Sequence, residues 1–143
     1  MAVRAKVLEF EAAIDADGRL SAEACPPLEL PDEWTAEHLI LAALLRCSLT
    51  SFRYHAKRIG ADARGGGNAT GTVTKRESDG RYAFVEIAAS LDVELTPAPE
   101  GDDLAELLAK AERDCFIAAS LTVKADYSWR VNGVEVTARA APS

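Results

Sequence analysis

The sequence lacks the features that suit a nucleic-acid-binding, membrane-spanning or secreted protein. Its 16 lysine and arginine residues are outnumbered by 23 aspartate and glutamate residues, and the resulting net charge of -7 would repel a phosphate backbone. No apolar run approaches the roughly 20 residues that cross a bilayer, and the N-terminus lacks the apolar centre of a secretion signal. We therefore expect a soluble, cytoplasmic protein with neither a nucleic acid nor a membrane as its partner.

Cysteine and histidine are scarce as well. The three cysteines, Cys25, Cys47 and Cys115, show no CxxC spacing, which excludes a zinc finger and a secreted disulfide framework. The two histidines, His38 and His55, have no partners at metal-ligand spacing, so we expect neither a metal nor another cofactor. In a reducing compartment the cysteines are then either inert core residues or reactive thiols.

The residues that are present predict a single domain built from hairpins and helices. A chain of 143 residues is long enough for one hydrophobic core but not for two, so we assign residues 1–143 to one domain. Alternating apolar and polar residues around turn signals predict hairpins at 3–22, 72–95 and 121–137, with turns at 15–18, 78–80 and 132–133. The glycine-rich segment 65–68 is not followed by a phosphate-loop lysine and is predicted to be a flexible turn.

The first of two predicted helices separates the first hairpin from the second. Thr35 is a suitable N-cap, and Glu37 lies in the first turn, where the helix dipole favours an acid. Gly60 is a natural C-terminal stop, which predicts a helix over residues 35–59. Apolar and small residues recur along it at steps of three and four, and this spacing places Cys47 on the buried face.

The second predicted helix separates the second hairpin from the third. It opens after the acidic segment 100–103, and its apolar stripe runs over residues 104–118. This stripe predicts that Cys115 faces inward and that the helix continues past it. The fold class is therefore α+β, and the inward-facing thiols of Cys47 and Cys115 are candidates for one site.

This order of elements, with an acid ten residues before Cys47, resembles the OsmC/Ohr family of thiol-dependent hydroperoxide reductases. The family's first motif, a helix cap followed by Pro-Glu-x-Leu and later by a cysteine, is similar to residues 35–39 followed by Cys47, with Ala36 in place of the proline. The second motif, Cys-Pro-x-Ser, is matched here only at Cys115. The likeness spans nearly the whole chain.

The resemblance implies an OsmC-like fold, in which antiparallel hairpins pack around two long central helices in an intertwined homodimer with its sites at the interface. It implies a peroxidase acting on organic hydroperoxides, with Cys47 as the attacking thiol and Cys115 as the resolving thiol. The reductant would be a dithiol or, as in part of the family, a lipoyl protein. The family's site also contains an arginine of the first hairpin, for which Arg19 is the candidate, although an alternative alignment of the Asp-Gly pairs places Ala16 there.

The chemistry of a thiol peroxidase constrains where the acid can act. A cysteine attacks a peroxide only as the thiolate, and the pKa of free cysteine is about 8.5, so the site has to stabilise negative charge on sulfur. An arginine held in place by a carboxylate does this. Glu37 and Cys47 are separated by about 15 Å along a straight helix, so we expect Glu37 to act in the site of the partner subunit.

Three functions remain open from the sequence. The first is the peroxidase, for which an apolar pocket suits an alkyl hydroperoxide better than hydrogen peroxide. The second is a protein of the same fold without peroxidase activity that binds a small apolar ligand at the dimer interface, with the cysteines as core residues. The third is a structural or interaction module. Glu37 would also serve as an ordinary first-turn acid, and Cys25, in a proline-rich loop, has no assigned role.

Overall fold

The computed structural model describes residues 4–138 and divides them into two compact units, residues 4–36 and residues 37–138. The assignment of residues 1–143 to one domain stays a prediction, because the two ends of the chain lie outside the described residues. Within residues 4–138, no helix is long and apolar enough to cross a membrane.

The first unit contains the first predicted hairpin. Strand β1 (Ala12–Ile14) pairs antiparallel with β2 (Leu20–Ala22). The Asp15 carboxylate accepts the backbone N–H of Arg19 at 2.9 Å and so closes the turn between the strands. The hairpin is therefore confirmed, although its first strand begins at Ala12 and residue 3 lies outside the described residues.

The second unit is organised around α1 (Ala36–Arg58), whose bounds agree with the predicted helix over residues 35–59. Gly60, with φ of 75°, ends the helix in a left-handed conformation that glycine adopts without strain. Every fourth residue in the middle of α1 is fully buried, which gives the helix one inward-facing row along its length: Leu44, Ser48, Phe52 and Ala56.

A four-stranded sheet packs against this row. Its strands, in spatial order, are β3 (Asp62–Lys75), β4 (Tyr82–Thr96), β5 (Ala125–Val131) and β6 (Val134–Val136). The β3–β4 and β5–β6 pairs are antiparallel, which confirms the second and third hairpins. The central β4–β5 pair is parallel and joins the two hairpins into one sheet, a pairing that local sequence patterns do not predict.

The prediction of a flexible turn at residues 65–68 is wrong, because this segment lies inside β3. Its three glycines pair with residues 91–93 of β4. A Cβ at Gly65 would lie only 2.6 Å from the carbonyl oxygen of Asp92 and 2.8 Å from the Cα of Val93. The two strands approach so closely that only glycine fits at this position.

The prediction that the second helix continues past Cys115 is also wrong. Helix α2 (Asp102–Arg113) ends before it, and Cys115 adopts an extended conformation with φ of -75° and ψ of 112°. A new short helix, α3 (Phe116–Ser120), follows at once, because the Cys115 sulfur accepts the backbone N–H of Ala118 at 3.5 Å and caps it. Helix α2 has 12 residues against 23 in α1, so only one of the two helices is long.

The core of the second unit consists of two adjoining clusters. The larger one joins α1, α2 and the sheet, and the ring centroids of Phe52 and Trp129 lie 5.5 Å apart in it. The smaller one lies around Cys115, which is fully buried, and includes Leu44, Ile87, Ala89 and Ala125. The prediction that Cys115 faces inward is therefore confirmed, although the helix that was expected to carry it has already ended.

The close approach of β3 and β4 yields a stability prediction. Gly65→Ala is expected to lower the free energy of unfolding by about 1–3 kcal/mol, because a methyl group must push the β4 backbone away. Gly66→Ala is the matched control, since nothing lies within 4 Å of a Cβ there. It should be neutral or stabilise the protein by up to about 1 kcal/mol. Urea unfolding followed by circular dichroism measures both, and equal stability of the two variants would contradict the close approach.

Candidate active site

The cysteines Cys47 and Cys115 line the same cavity, which has a volume of about 550 Å³. Cys47 projects from α1 and is partly exposed, whereas Cys115 is fully buried just before α3. The aromatic rings of Tyr54 and Phe116 also line the cavity and are themselves largely exposed. The cavity thus presents one accessible sulfur to a ligand and keeps the second sulfur away from solvent.

The start of α3 supplies backbone N–H groups to both sulfurs. The N–H group of Ala118 donates to the Cys115 sulfur at 3.5 Å, and those of Ile117 and Phe116 lie close enough to the Cys47 sulfur to lower its pKa. The first N–H groups of a helix have no carbonyl partner within the helix, so they are available to an acceptor from elsewhere. The break between α2 and α3 therefore creates donors at the place where the two thiols meet.

Burial raises the pKa of the Cys47 thiol above its ordinary value. The N–H groups of Ile117 and Phe116 act in the opposite direction, while Cys115 adds to the increase through its own hydrogen bond and charge. The two sulfurs are thus close enough for Cys115 to influence the ionisation of Cys47. None of these influences, all from described residues, comes from a cation.

The arginine that lines the cavity is already bound to an acid. The Arg113 guanidinium donates two hydrogen bonds to Asp114, at 2.9 and 3.0 Å. The same carboxylate lies 2.7 Å from the Nε2 atom of His55. The hydrogen bond from Arg113 is the main reason that the pKa of Asp114 is lowered, so Asp114 stays ionised and holds the arginine. Arg113 therefore neutralises a carboxylate at the edge of the cavity.

Two hydroxyl groups that belong to no recognisable motif adjoin the buried thiol. Ser48 follows Cys47 in α1, is fully buried, and donates a hydrogen bond to the Cys115 sulfur at 3.5 Å. Its oxygen lies 2.8 Å from the phenolic oxygen of Tyr127 on β5. The only sequence signal for Ser48 is its place on the buried face of α1, and no local pattern connects it with Tyr127.

Ser51 adds an unpaired polar atom to the cavity lining. Its hydroxyl is buried and is, among the described residues, the one buried side-chain nitrogen or oxygen without a hydrogen-bond partner. Leaving a buried hydroxyl unpaired costs about 1–3 kcal/mol, which a polar group of a ligand would recover.

The structure does not bring Glu37 to Cys47 of the same chain. Both residues lie on α1, and the rise between them is about 15 Å. Arg19 lies in the first unit, where its guanidinium is 2.7 Å from a carboxylate oxygen of Glu29 and 3.9 Å from one of Asp15. Within the second unit the structure therefore brings Cys47 and Cys115 together, and the roles of all four predicted site residues stay predictions.

Within residues 37–138 the second unit contains no cysteine besides Cys47 and Cys115. Cys25 is exposed in the first unit. Two further cavities, with volumes of about 560 and 600 Å³, have no cysteine among their lining residues. Within residues 4–138, no group of three histidine, cysteine, aspartate or glutamate side chains could hold a metal ion. The cavity shared by the two thiols is therefore the candidate active site.

Comparison with known proteins agrees with this architecture. Residues 30–130 match the sequence model of a family described as OsmC-like protein. No curated protein matches the chain. Among solved structures, an OsmC-like protein of unknown function from Vibrio cholerae is similar over 86% of this chain and 99% of its own, with a TM-score of 0.72 and 15% identity.

Two further solved structures share the fold. An OsmC-like protein from Mycoplasma pneumoniae has a TM-score of 0.65 and 16% identity over 88% of this chain and 97% of its own. The organic hydroperoxide resistance protein OhrB of Bacillus subtilis has a TM-score of 0.52 and 18% identity over 87% of this chain and 96% of its own. Identities this low show a common fold and do not by themselves carry an activity.

The contact between the thiols predicts how the reactivity of Cys47 depends on pH. Because Cys115 raises the pKa of Cys47, replacing Cys115 with alanine should lower that pKa and move the rise of thiolate reactivity to lower pH. The rate of iodoacetamide labelling of Cys47, measured across pH in a Cys25→Ser background, reports the shift. An unchanged midpoint in the Cys115→Ala variant would show that the two sulfurs do not interact, and a higher one would show that Cys115 lowers the pKa of Cys47, so either result contradicts the prediction.

Proposed function

Because the chain belongs to the OsmC-like family, we propose that it is a thiol-dependent peroxidase that reduces organic hydroperoxides to alcohols. The observation that carries the proposal is the cavity in which an accessible thiol, Cys47, meets a buried thiol, Cys115. A thiol peroxidase needs this difference in accessibility, since the peroxide must reach the first sulfur and the second sulfur must lie near enough to form a disulfide with it. We place this activity in the reducing cytoplasm, where the cysteines stay free between turnovers.

The proposed reaction has three steps. The Cys47 thiolate attacks the outer oxygen of the hydroperoxide, the O–O bond breaks, and the leaving alkoxide takes up a proton to become the alcohol. The sulfenic acid left on Cys47 is attacked by the Cys115 sulfur, so that an S–S bond forms, the S–O bond breaks and water leaves. An external dithiol or a lipoyl protein then returns two electrons and two protons and restores both thiols. No step needs a metal or a bound cofactor.

The lining of the cavity favours an organic hydroperoxide over hydrogen peroxide. Tyr54, Phe116 and Ala119 offer apolar surface to an alkyl or aryl group. The unpaired hydroxyl of Ser51 offers one hydrogen bond to the polar end of the same ligand. A small peroxide would satisfy the hydroxyl but leave the apolar walls in contact with water.

We propose that activation of Cys47 comes from another chain. Burial raises the pKa of Cys47, and the acid predicted for the site, Glu37, lies about 15 Å away along α1. We therefore propose an intertwined homodimer in which the partner supplies the acid and the arginine, for which Arg19 is the candidate. A dimer would also cover apolar side chains that are strongly exposed in the single chain, such as Phe10 at 81% and Phe116 at 61%.

A second function is favoured by one observation. The raised pKa of Cys47 leaves little thiolate at neutral pH unless a cation approaches it. A protein that binds a small apolar ligand in the same cavity, at the dimer interface and without turnover, needs no thiolate. The two functions share a fold and a cavity and differ in whether Cys47 reacts.

Consumption of cumene hydroperoxide by the pure protein with a dithiol reductant separates the two functions. The wild-type protein should consume the peroxide, and Cys47→Ser should lose this activity entirely while keeping the fold. Cys25→Ser is the matched control, because Cys25 lies on the surface of the first unit. Cys115→Ser should turn over poorly and accumulate sulfenic, sulfinic or sulfonic acid on Cys47, detected by mass spectrometry. Undiminished turnover in Cys47→Ser would refute the assignment of the attacking thiol.

Subunit complementation tests the shared site. Glu37→Ala and Cys47→Ser proteins should each be inactive, yet a refolded mixture should regain activity. In a heterodimer one of the two sites then has both residues intact, so about half of the heterodimers' sites are restored. Sedimentation checks that dimers form, and mass spectrometry of the intact dimers distinguishes heterodimers from homodimers. A fully active monomer, or heterodimers without any rescue, would return Glu37 to the role of a first-turn acid.

A further inference from the structure

We infer that Ser48 and Tyr127 form a hydroxyl relay that holds the Cys115 sulfur toward Cys47 and stabilises negative charge on it while it attacks. This inference rests on the proposed thiol chemistry and extends it to two residues outside the motifs of the resemblance. Ser48 would touch a reacting atom and so act as a catalytic residue. Tyr127 would act through Ser48 as a positioning residue.

The order of the hydrogen bonds fixes the direction of the relay. The Ser48 hydroxyl has a single proton, which it donates to the Cys115 sulfur at 3.5 Å. The short contact of 2.8 Å between the Ser48 and Tyr127 oxygens must then use the proton of Tyr127. Burial raises the pKa of Tyr127, so its phenol remains a donor throughout the pH range in which thiols react. The chain of donors therefore runs from Tyr127 through Ser48 to the sulfur.

The burial of Cys115 explains why such donors are needed. Its side chain is completely shielded from water, and a sulfur that gains negative charge there cannot be stabilised by solvent. Two groups replace the missing water, the Ser48 hydroxyl and the Ala118 N–H, each 3.5 Å from the sulfur. A hydrogen bond to a charged acceptor is stronger than one to a neutral acceptor, so both contacts strengthen as the charge develops.

The orientation of Ser48 is not the default for a serine within a helix. Such hydroxyls commonly bond to the carbonyl oxygen one turn earlier, as Thr50 does to Arg46 at 2.9 Å. Ser48 instead directs its hydroxyl away from its own helix, to a sulfur 67 residues later and a phenol 79 residues later. This orientation satisfies the buried hydroxyl and at the same time directs its proton at the Cys115 sulfur.

The resolving step can be measured without any peroxide. In a Cys25→Ser background, the aromatic disulfide dithiobis(nitrobenzoate) reacts first with accessible Cys47 and releases one coloured thiolate. Cys115 then attacks the mixed disulfide on Cys47, an S–S bond forms between the two cysteines, and a second coloured thiolate leaves. Stopped-flow absorbance resolves the two phases. The second phase reports the attack by Cys115 alone.

We expect Ser48→Ala to slow the second phase about tenfold and to leave the first unchanged, since it removes one hydrogen bond to a charged sulfur. Tyr127→Phe should slow the second phase less. The relay predicts that the double variant is no slower than Ser48→Ala, because in it the short hydrogen bond of Tyr127 reaches the sulfur through Ser48. The matched controls are Ser120→Ala and Tyr82→Phe. The Ser120 hydroxyl bonds to the Phe116 carbonyl, and Tyr82 lies at the exposed start of β4. Neither substitution should change either phase.

Three results would overturn the relay. They are a wild-type second phase in Ser48→Ala, an equal slowing of both phases, or additive effects in the double variant, which would indicate two independent structural defects. If Ser48→Ala fails to fold, a wild-type second phase in Tyr127→Phe overturns the relay by itself. Failure of the peroxidase proposal gives a different set of results. Cumene hydroperoxide is then not consumed, yet both phases of thiolate release persist and the second still depends on Ser48.

Discussion

The rest of the site depends on the hydrogen bonds that the buried sulfur of Cys115 accepts. It caps α3 by accepting the Ala118 N–H, and it accepts a hydrogen bond from Ser48 of α1. Because α2 has ended just before it, the first N–H groups of α3 are free to reach the Cys47 sulfur. A continuous helix through this point would have used those groups in its own hydrogen bonds. One interrupted helix therefore places both thiols and their donors together.

The sheet determines what surrounds that sulfur. The parallel pairing of β4 with β5 brings Tyr127, far along the chain, to the buried face of α1. The side chain of Asn132 bonds to both backbone groups of Leu95, at 2.9 and 3.0 Å, and ties the end of β5 to β4. On the other side of β4, the glycines of β3 allow an approach that a side chain would prevent. The position of the relay is thus fixed by backbone contacts remote from the thiols.

The charged side chains that line the cavity in the second unit are Arg113 and Asp114. Arg113 is engaged by Asp114, and the pKa of Cys47 is raised by burial. A thiol whose pKa is raised is a poor nucleophile at neutral pH. An interface that brings Glu37 and an arginine from a partner would change this balance, so in the proposed function assembly and activation are the same event.

Local patterns in the sequence determined the bounds of α1, the three hairpins and the inward orientation of Cys115, because each depends on turn chemistry, capping or the periodicity of apolar residues. The resemblance to the family motifs also predicted that Cys47 and Cys115 belong to one site, and their roles in it stay predictions. Tertiary structure alone decided that residues 65–68 are a strand, that α2 stops before Cys115, and that Ser48 meets Tyr127. A glycine-rich segment predicts a flexible turn when the sequence is considered alone, and only the pairing with a neighbouring strand fixes it in an extended conformation. A hydrogen bond between residues 79 apart exists only after the parallel strands have paired.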